Sequence, residues 1–285
     1  MSKYLNKNKS YWKDVVFQAS GNTVAQVIGI AGMPILTRLY APETFAIQAV
    51  FIQIVALLTA FITFRFEYFL QLVGDIKESY SLIRFVLSVG FWMMIFLTFV
   101  FFVLDIIGFF KYFNILMSNY FYFAPITAYF ICISIAFQHE AQRQENFKST
   151  AVAEVSSKIG YVSIGAMLAI FTNGIGLILT TIAGSVAKLI SLRKYVYLFL
   201  CSYKEIKINK YLISIYKRRS IGMIVSNTIL TCSGLLPILF ISKQYNTDIL
   251  GQFSLVMATV FLPSGLIGRA VGNVFYQSSA KLLNR

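Results

Sequence analysis

Long apolar stretches alternate with short polar loops along the whole chain. Each stretch is close to the roughly 20 residues that an α-helix needs to cross the hydrocarbon core of a bilayer. A helix is the expected structure because all of its backbone hydrogen bonds are made within the segment. The pattern predicts an all-α, polytopic membrane bundle of about eight transmembrane helices, at residues 15–37, 44–64, 83–107, 121–138, 152–172, 174–198, 220–241 and 249–268.

The composition and the placement of charge agree with a membrane protein and give its orientation. Hydrophobic residues make up 58% of the chain and charged residues 13%, against about 25% charged in soluble domains. With the N-terminus inside, all of the 25 Lys and Arg residues except Arg38, Lys111 and Lys243 fall on the cytoplasmic side. Since cations are retained there during insertion, both termini are predicted to be cytoplasmic. The same rule explains the net charge of +14 without nucleic acid as a partner.

A faint internal repeat links the two ends of the chain. Four positions of the first two helices match four of the last two at offsets of 203–205 residues: Asn22, Pro34, Phe45 and Arg65 with Asn227, Pro237, Leu250 and Arg269. Six predicted helices separate the copies, and an even number makes them parallel repeats of the kind found in transporters. We therefore expect a six-helix lobe at 1–200, a basic cytoplasmic connector at 201–219, and the first two helices of a truncated second lobe at 220–285.

Three segments carry a resemblance to a known family. They are SGNTVAQVIGIAGMPILTRLYAPETF, FRFEYFLQL and FLPSGLIGRAVGNVFYQSSAK. The chain resembles the polysaccharide biosynthesis transporters, which include the O-antigen and capsule repeat-unit flippases of the multidrug/oligosaccharidyl-lipid/polysaccharide exporter superfamily. The resemblance implies transport of an undecaprenyl-diphosphate-linked oligosaccharide across a bacterial inner membrane, from the cytoplasmic to the periplasmic leaflet. It also implies other polysaccharide assembly proteins as partners. The chain departs from the family at Ala46, where Gly is usual, and in lacking the later helices.

A lipid-linked diphosphate needs a polar, cationic path, because its headgroup cannot cross hydrocarbon unaided. Polar residues recur three or four positions apart on the first, sixth and seventh helices, and Arg residues suit a diphosphate at the cytoplasmic helix ends. The cavity candidates are Gln18, Asn22, Gln26, Arg38, Arg65, Glu67, Lys188, Asn227 and Arg269. Each has a structural alternative: small polar residues join helices, Lys188 snorkels to the interface, Arg65 pairs with Glu67, and Arg38 caps a loop.

The chain is not predicted to be an enzyme or to hold a cofactor. It has no Walker loop, no dinucleotide fingerprint and no nucleophile elbow, so no cofactor, catalytic residue or metal site is predicted. His139 is the only histidine and is expected in a solvated cytoplasmic loop. Glu154 and Lys158 are spaced i, i+4 and are expected to form a structural pair.

Three other functions stay open from the residues. An acidic cluster in the first helix would indicate a cation-coupled multidrug exporter of the same superfamily, but this helix has only Asp14, at the cytoplasmic edge. A membrane enzyme such as a glycan polymerase would favour a large charged outside loop, whereas the longest, at about 108–120, carries Lys111 alone. An inactive remnant fits the apparent truncation. Membrane lipids are expected partners of the basic segment 201–219, as an interfacial amphipathic helix.

Overall fold

The computed structural model describes residues 2–108, 122–171 and 175–257, with the backbone alone for residues 2–16 and 19. Within these ranges the regular elements are helices. The long ones are α1 (Ser2–Leu39), α2 (Pro42–Ile62), α3 (Ile76–Ile106), α4 (Phe123–Arg143), α5 (Phe147–Ala169), α6 (Ile175–Ser191) and α8 (Lys210–Gln244). A 3-10 helix (Phe66–Leu72), the short α7 (Arg193–Ser202) and α9, described over 247–257, complete them. The prediction of an all-α polytopic membrane bundle is confirmed.

Three described helices, α2, α3 and α8, are long and apolar enough to cross a membrane by themselves. Helices α6 and α7 meet the same criterion together, but they are bent by 70° at Leu192. The predicted sixth span, 174–198, is therefore divided at Leu192 and is not one straight helix. Helices α1, α4 and α5 lie over three further predicted spans, and the bundle buries many of their polar side chains.

Local sequence signals set several helix ends. Pro42 and Glu43 open α2, where a proline loses no hydrogen bond and a carboxylate meets the positive end of the helix dipole. Asn146 and Asn209 cap α5 and α8 by accepting hydrogen bonds from the backbone N–H groups of Ser149 and Tyr211. Since α8 begins at Lys210, its first turns lie inside the predicted connector 201–219.

Small residues bring α1, α5 and α6 close together. Gly21 faces Ala151 across the α1–α5 contact, and Gly160 and Gly184 lie in the α5–α6 contact beside Ala187 and Ser157. Such residues let membrane helices approach and gain van der Waals contact without a hydrophobic driving force. Among the long helices of the described ranges, α1 packs mainly on α5, and a cavity lies between α1, α2 and α8.

Two apolar clusters hold the remaining helices. One, near the predicted cytoplasmic end, joins the 3-10 helix to α3, α4 and α7, with Phe69, Leu70 and Phe199 at 2%, 0% and 1% exposure. The other joins α2, α4 and the start of α9 around Phe51 and Cys132. The aromatic residues of the 3-10 helix thus fix it in the bundle. Its polar side chains are held in position as a result.

Candidate functional site

One face of α8 lines two adjoining spaces between this helix and the first helices of the chain. The residues recur every three or four positions, which places them on one side of a helix. They are Met223, Ser226, Asn227, Leu230, Ser233, Gly234, Pro237 and Ile238. Leu230 borders both spaces, so they follow one another along α8 from the predicted cytoplasmic end towards the predicted outer end, and we call the two together the route. We name them the inner pocket and the outer cavity.

The outer cavity has a volume of about 690 Å³. Helices α1, α2, α5, α8 and α9 surround it, and its lining is mainly apolar. Gln48 is held in place because its Nε2 donates to the Tyr161 hydroxyl at 2.6 Å and to the Leu177 carbonyl at 3.0 Å. Gln53 lies against Gly234, where an added Cβ would come within 3.4 Å of its amide. The cavity therefore combines apolar walls with a few fixed polar groups, as small-molecule sites commonly do.

The inner pocket is smaller, at about 210 Å³, and holds the arginine of the 3-10 segment. Arg65, Tyr68, Ser226 and Asn227 are its polar lining residues. The Arg65 Nη1 donates to the Tyr68 hydroxyl at 3.2 Å, and the side chain keeps only about a tenth of its exposure. A guanidinium with several donors beside an amide and hydroxyls matches the chemistry of an anion site.

A left-handed turn aims Arg65 at α8. Phe64 and Arg65 have φ values of 51° and 60°, a conformation that non-glycine residues seldom adopt. It ends α2 after Ile62 and turns the chain into the 3-10 helix, whose Phe66 and Phe69 enter the apolar cluster. The Ser220 hydroxyl donates to the Phe64 carbonyl at 2.5 Å and ties the turn to α8. Packing on both sides thus holds the strained turn in place.

Glu67 lies behind Arg65 and is fully buried. The Thr63 hydroxyl donates to its Oε2 at 2.5 Å, and its Oε1 is 3.7 Å from the Arg65 Nη1. Burial raises the pKa of the Glu67 carboxyl, while the Thr63 hydrogen bond and the Arg65 charge oppose that rise. The separation of 3.7 Å is an ion pair without a short hydrogen bond, so guanidinium donors stay available on the pocket side.

The other predicted site residues lie elsewhere. Gln18 is buried between α1 and α5, where its Oε1 accepts from the Thr150 hydroxyl at 2.5 Å. Asn22 and Gln26 are half-buried on α1, and Arg38 is exposed near its end. Arg269 falls outside the described residues. The structure thus brings Arg65, Glu67 and Asn227 together and separates them from Gln18, Arg38 and Lys188.

Lys188 of α6 pairs with Glu154 of α5. Its Nζ lies 2.9 Å from the Glu154 Oε1, to which the Gln138 Nε2 also donates at 2.9 Å. Glu154 has a closer partner than the expected Lys158: the ion pair at 2.9 Å is with Lys188 of α6, and Lys158 lies over the Tyr161 ring at 5.9 Å. The pair links α4, α5 and α6 and lies away from the face of α8 that lines the two spaces.

Replacing Lys188 with Met is expected to lower stability by about 1–3 kcal/mol, because the Glu154 charge loses its partner in a largely buried place. A double variant, Lys188→Met with Glu154→Gln, should recover much of that loss since it removes both charges. Thermal unfolding of the purified protein in detergent measures both. Lys148→Met, at an exposed lysine near the same end, is the control. A double variant no more stable than Lys188→Met would contradict this role.

The expectation of a solvated His139 is wrong. Helix α4 continues past the predicted span to Arg143, and the 3-10 helix covers His139, leaving it 8% exposed. Its Nδ1 is 2.8 Å from the Gln142 Oε1 and also contacts the Gln71 amide, and the Tyr68 ring packs against it. The described residues contain no group of three His, Cys, Asp or Glu side chains able to hold a metal ion.

Sequence reasoning missed several residues of the route. Gln48 and Gln53 are polar residues inside the apolar stretch 44–64, and this position in the sequence could have marked them as cavity residues. Tyr68 and Ser226 become lining residues through their neighbours Arg65 and Asn227. Tyr161 carries no local signal, because a tyrosine on an apolar helix is equally typical of packing.

Comparison with known proteins gives one match. The sequence model of the family described as polysaccharide biosynthesis protein matches residues 11–280, nearly the full chain. No curated protein and no solved structure matches.

Proposed function

The chain belongs to the polysaccharide biosynthesis protein family, and on that basis we propose that it moves a lipid-linked oligosaccharide across the bacterial inner membrane. The proposed cargo is an O-antigen or capsule repeat unit on undecaprenyl diphosphate, carried from the cytoplasmic to the periplasmic leaflet. Transport of this kind makes and breaks no covalent bond. The protein acts by giving the headgroup a path.

The observation that carries the proposal is the route along α8. The lipid tail of such a substrate can stay in the bilayer, whereas its charged and hydroxylated headgroup needs polar partners across the hydrocarbon layer. The face of α8 from Met223 to Pro237 borders a basic pocket at one end and a larger cavity with fixed amides at the other. The opposite side of α8 exposes Ile221, Val225 and Leu236, which suits contact with lipid tails.

The polar residues divide the proposed task between them. Arg65, with Asn227 and Ser226, meets the diphosphate at the predicted cytoplasmic end, since a planar guanidinium donates two hydrogen bonds to phosphate oxygens at once. Gln48 and Tyr161 meet sugar hydroxyls in the outer cavity. Wide, mainly apolar walls with few polar contacts suit a carrier that accepts a bulky headgroup and releases it again.

The apolar lining of the outer cavity also favours a second candidate, a cation-coupled multidrug exporter. Met33, Phe45 and Ile52 offer surface to an apolar drug. Arg65 separates the two functions because a basic pocket attracts an anionic headgroup and repels the cationic compounds that many exporters carry. A rise in drug resistance on expression, without any change in surface polysaccharide, would favour the exporter.

Complementation tests the main proposal. Residues 1–285 are expressed in a strain that lacks its own flippase, and surface polysaccharide is scored against the amount of protein in the membrane. We expect polymer to return, and Asn227→Leu to lower it by about tenfold through loss of a hydrogen bond to a charged group. Ser242→Ala, on the same helix but outside both spaces, is the control and should restore polymer fully.

Two results would contradict the proposal. Protein present at the normal level without surface polymer would mean that the chain does not move this cargo by itself. Equal activity of Asn227→Leu and Ser242→Ala would show that the inner pocket does not meet the headgroup.

A further inference from the structure

Helix α7 is fixed at a steep angle to the helix before it. It leaves α6 with a bend of 70°, so it runs across the direction of the bundle. Tyr195 and Phe199 are 2% and 1% exposed, and the Phe199 ring meets those of Tyr80 and Phe137 edge to face, with centroids 5.7 and 5.9 Å away. One face of this short helix is thus anchored in the apolar cluster at the predicted cytoplasmic end.

The other face of α7 is exposed and mixed in character. Tyr197 and Leu200 are 67% and 60% exposed, beside the exposed Arg193 and Lys194. Tyrosine and cations on one face suit the headgroup layer of a membrane, where an aromatic ring sits at the boundary and a long basic side chain reaches the phosphates. A helix meant for the hydrocarbon core would carry aliphatic residues all round.

Exposed cations continue from α7 through the connector and into the first turns of α8. We call α7 together with residues 203–219 the basic platform. Glu205 is the one carboxylate in this stretch of sequence. The exposed cations are Arg193, Lys194, Lys204, Lys207, Lys210, Lys217, Arg218 and Arg219. Such a cluster next to membrane helices attracts anionic phospholipids.

Helix α3 fixes the middle of the platform. The Arg84 guanidinium donates to the carbonyls of Tyr203, at 2.9 Å, and Ile206, and lies 4.4 Å from the centroid of the Tyr203 ring. The Asn209 backbone N–H donates to the Ser81 hydroxyl at 2.7 Å. The backbone of the connector is therefore held in one conformation, and this fixes where its exposed cations start relative to the first turns of α8.

We propose that the basic platform binds the headgroups of anionic phospholipids in the cytoplasmic leaflet. The charge of the surface, its exposed tyrosines and the angle of α7 select this occupant over zwitterionic lipid and over a soluble acidic protein. Because α8 begins within the platform and lines both the inner pocket and the outer cavity, lipid bound here holds the base of that helix at the membrane surface.

Cys201 provides a probe on the exposed face of α7. Cys232, exposed on α8, is replaced with Ala, and Cys132 is buried, so an environment-sensitive nitrobenzoxadiazole label reacts at Cys201. The full chain is reconstituted in vesicles of phosphatidylcholine and phosphatidylglycerol, with brominated chains on one lipid at a time. We expect brominated phosphatidylglycerol to quench the label more than brominated phosphatidylcholine at the same mole fraction. The difference should vanish in salt that shortens the Debye length to about 3 Å.

Variants connect the preference to the platform. Arg193→Gln with Lys194→Gln should lower the preference for phosphatidylglycerol by up to about 25-fold, since each of the two cations near an anionic surface contributes about fivefold. Lys77→Gln with Lys148→Gln removes two exposed cations at the same end but outside the platform, and should leave the preference unchanged. Gel filtration checks that each variant stays folded.

Two results would overturn the inference. Equal quenching by both brominated lipids would mean anchoring without headgroup recognition. No quenching by either, with the label open to iodide in solution, would place the face against the cytoplasm, where a soluble acidic partner becomes the better occupant. Neither result bears on complementation, so the proposed transport function stands or falls separately.

Discussion

Replacing Arg65 with Ala is expected to abolish restoration of surface polysaccharide even where the protein reaches the membrane in normal amount. Arg65 is the cation of the inner pocket, and its guanidinium has further N–H donors besides the one that it donates to the Tyr68 hydroxyl. A hydrogen bond to a charged group contributes about 1.5–3 kcal/mol, so we expect capture of the headgroup to weaken about 10- to 100-fold. Arg65→Lys should be intermediate, because an ammonium keeps the charge but loses the planar, two-pronged geometry.

Glu67 pairs with Arg65, so the effect of Arg65 on stability must be separated from its effect on transport. The single variant Arg65→Ala leaves the fully buried carboxyl beside no cation, and that alone destabilises the protein. The double variant Arg65→Ala with Glu67→Gln removes both charges and should fold nearly as well as the native chain, by gel filtration and thermal unfolding. It should still fail to restore polymer if Arg65 meets the headgroup.

The opposite outcome has a clear meaning. If the double variant restores surface polymer, Arg65 serves to neutralise Glu67 and the inner pocket is no headgroup site. Binding of inorganic pyrophosphate to the purified protein, measured for the native chain and the double variant, separates loss of anion binding from later failures in transport.

Replacing Gly21 with Ala should give the largest loss of stability among single methyl additions in the described part of α1. A Cβ at this position would come 2.3 Å from the Ala151 Cβ and 2.7 Å from its Cα. The second contact is with backbone, so α1 must move away from α5, on which it mainly packs. Overpacking of a close contact costs about 1–3 kcal/mol, and we expect the upper part of that range in thermal unfolding.

Gly29 is the matched control on the same helix. A Cβ there would meet the Lys158 Cδ at 3.8 Å, an ordinary contact, so Gly29→Ala should be neutral or mildly stabilising. Ala151→Gly combined with Gly21→Ala removes the Cβ contact and leaves the backbone contact, so recovery should be partial. Equal stability of Gly21→Ala and Gly29→Ala would mean that α1 and α5 do not pack as described.

The sequence predicted the helices well because the membrane leaves few alternatives. Backbone groups in hydrocarbon must pair within their own helix, so a long apolar stretch indicates its structure locally. The predicted stretches 44–64 and 220–241 correspond to α2 and to the apolar part of α8. The stretch 174–198 is divided at Leu192, although Tyr195 to Leu198 resume the apolar pattern after Arg193 and Lys194. Only packing of Tyr195 and Phe199 on the apolar cluster turns them into a separate helix.

The sequence by itself thus determined the class of protein and the helices, since these depend on local hydrophobicity. The orientation, which rests on the side that holds the cations, stays a prediction. Only the tertiary structure decided which polar residues meet. Spacing favoured Lys158 as the partner of Glu154, yet Lys188 arrives from another helix at 2.9 Å. The tertiary structure also places Arg65 and Asn227 in the lining of one pocket and Gln18 in the α1–α5 contact. Helical spacing gives the face of each helix, but the neighbour of that face is fixed by packing between distant segments.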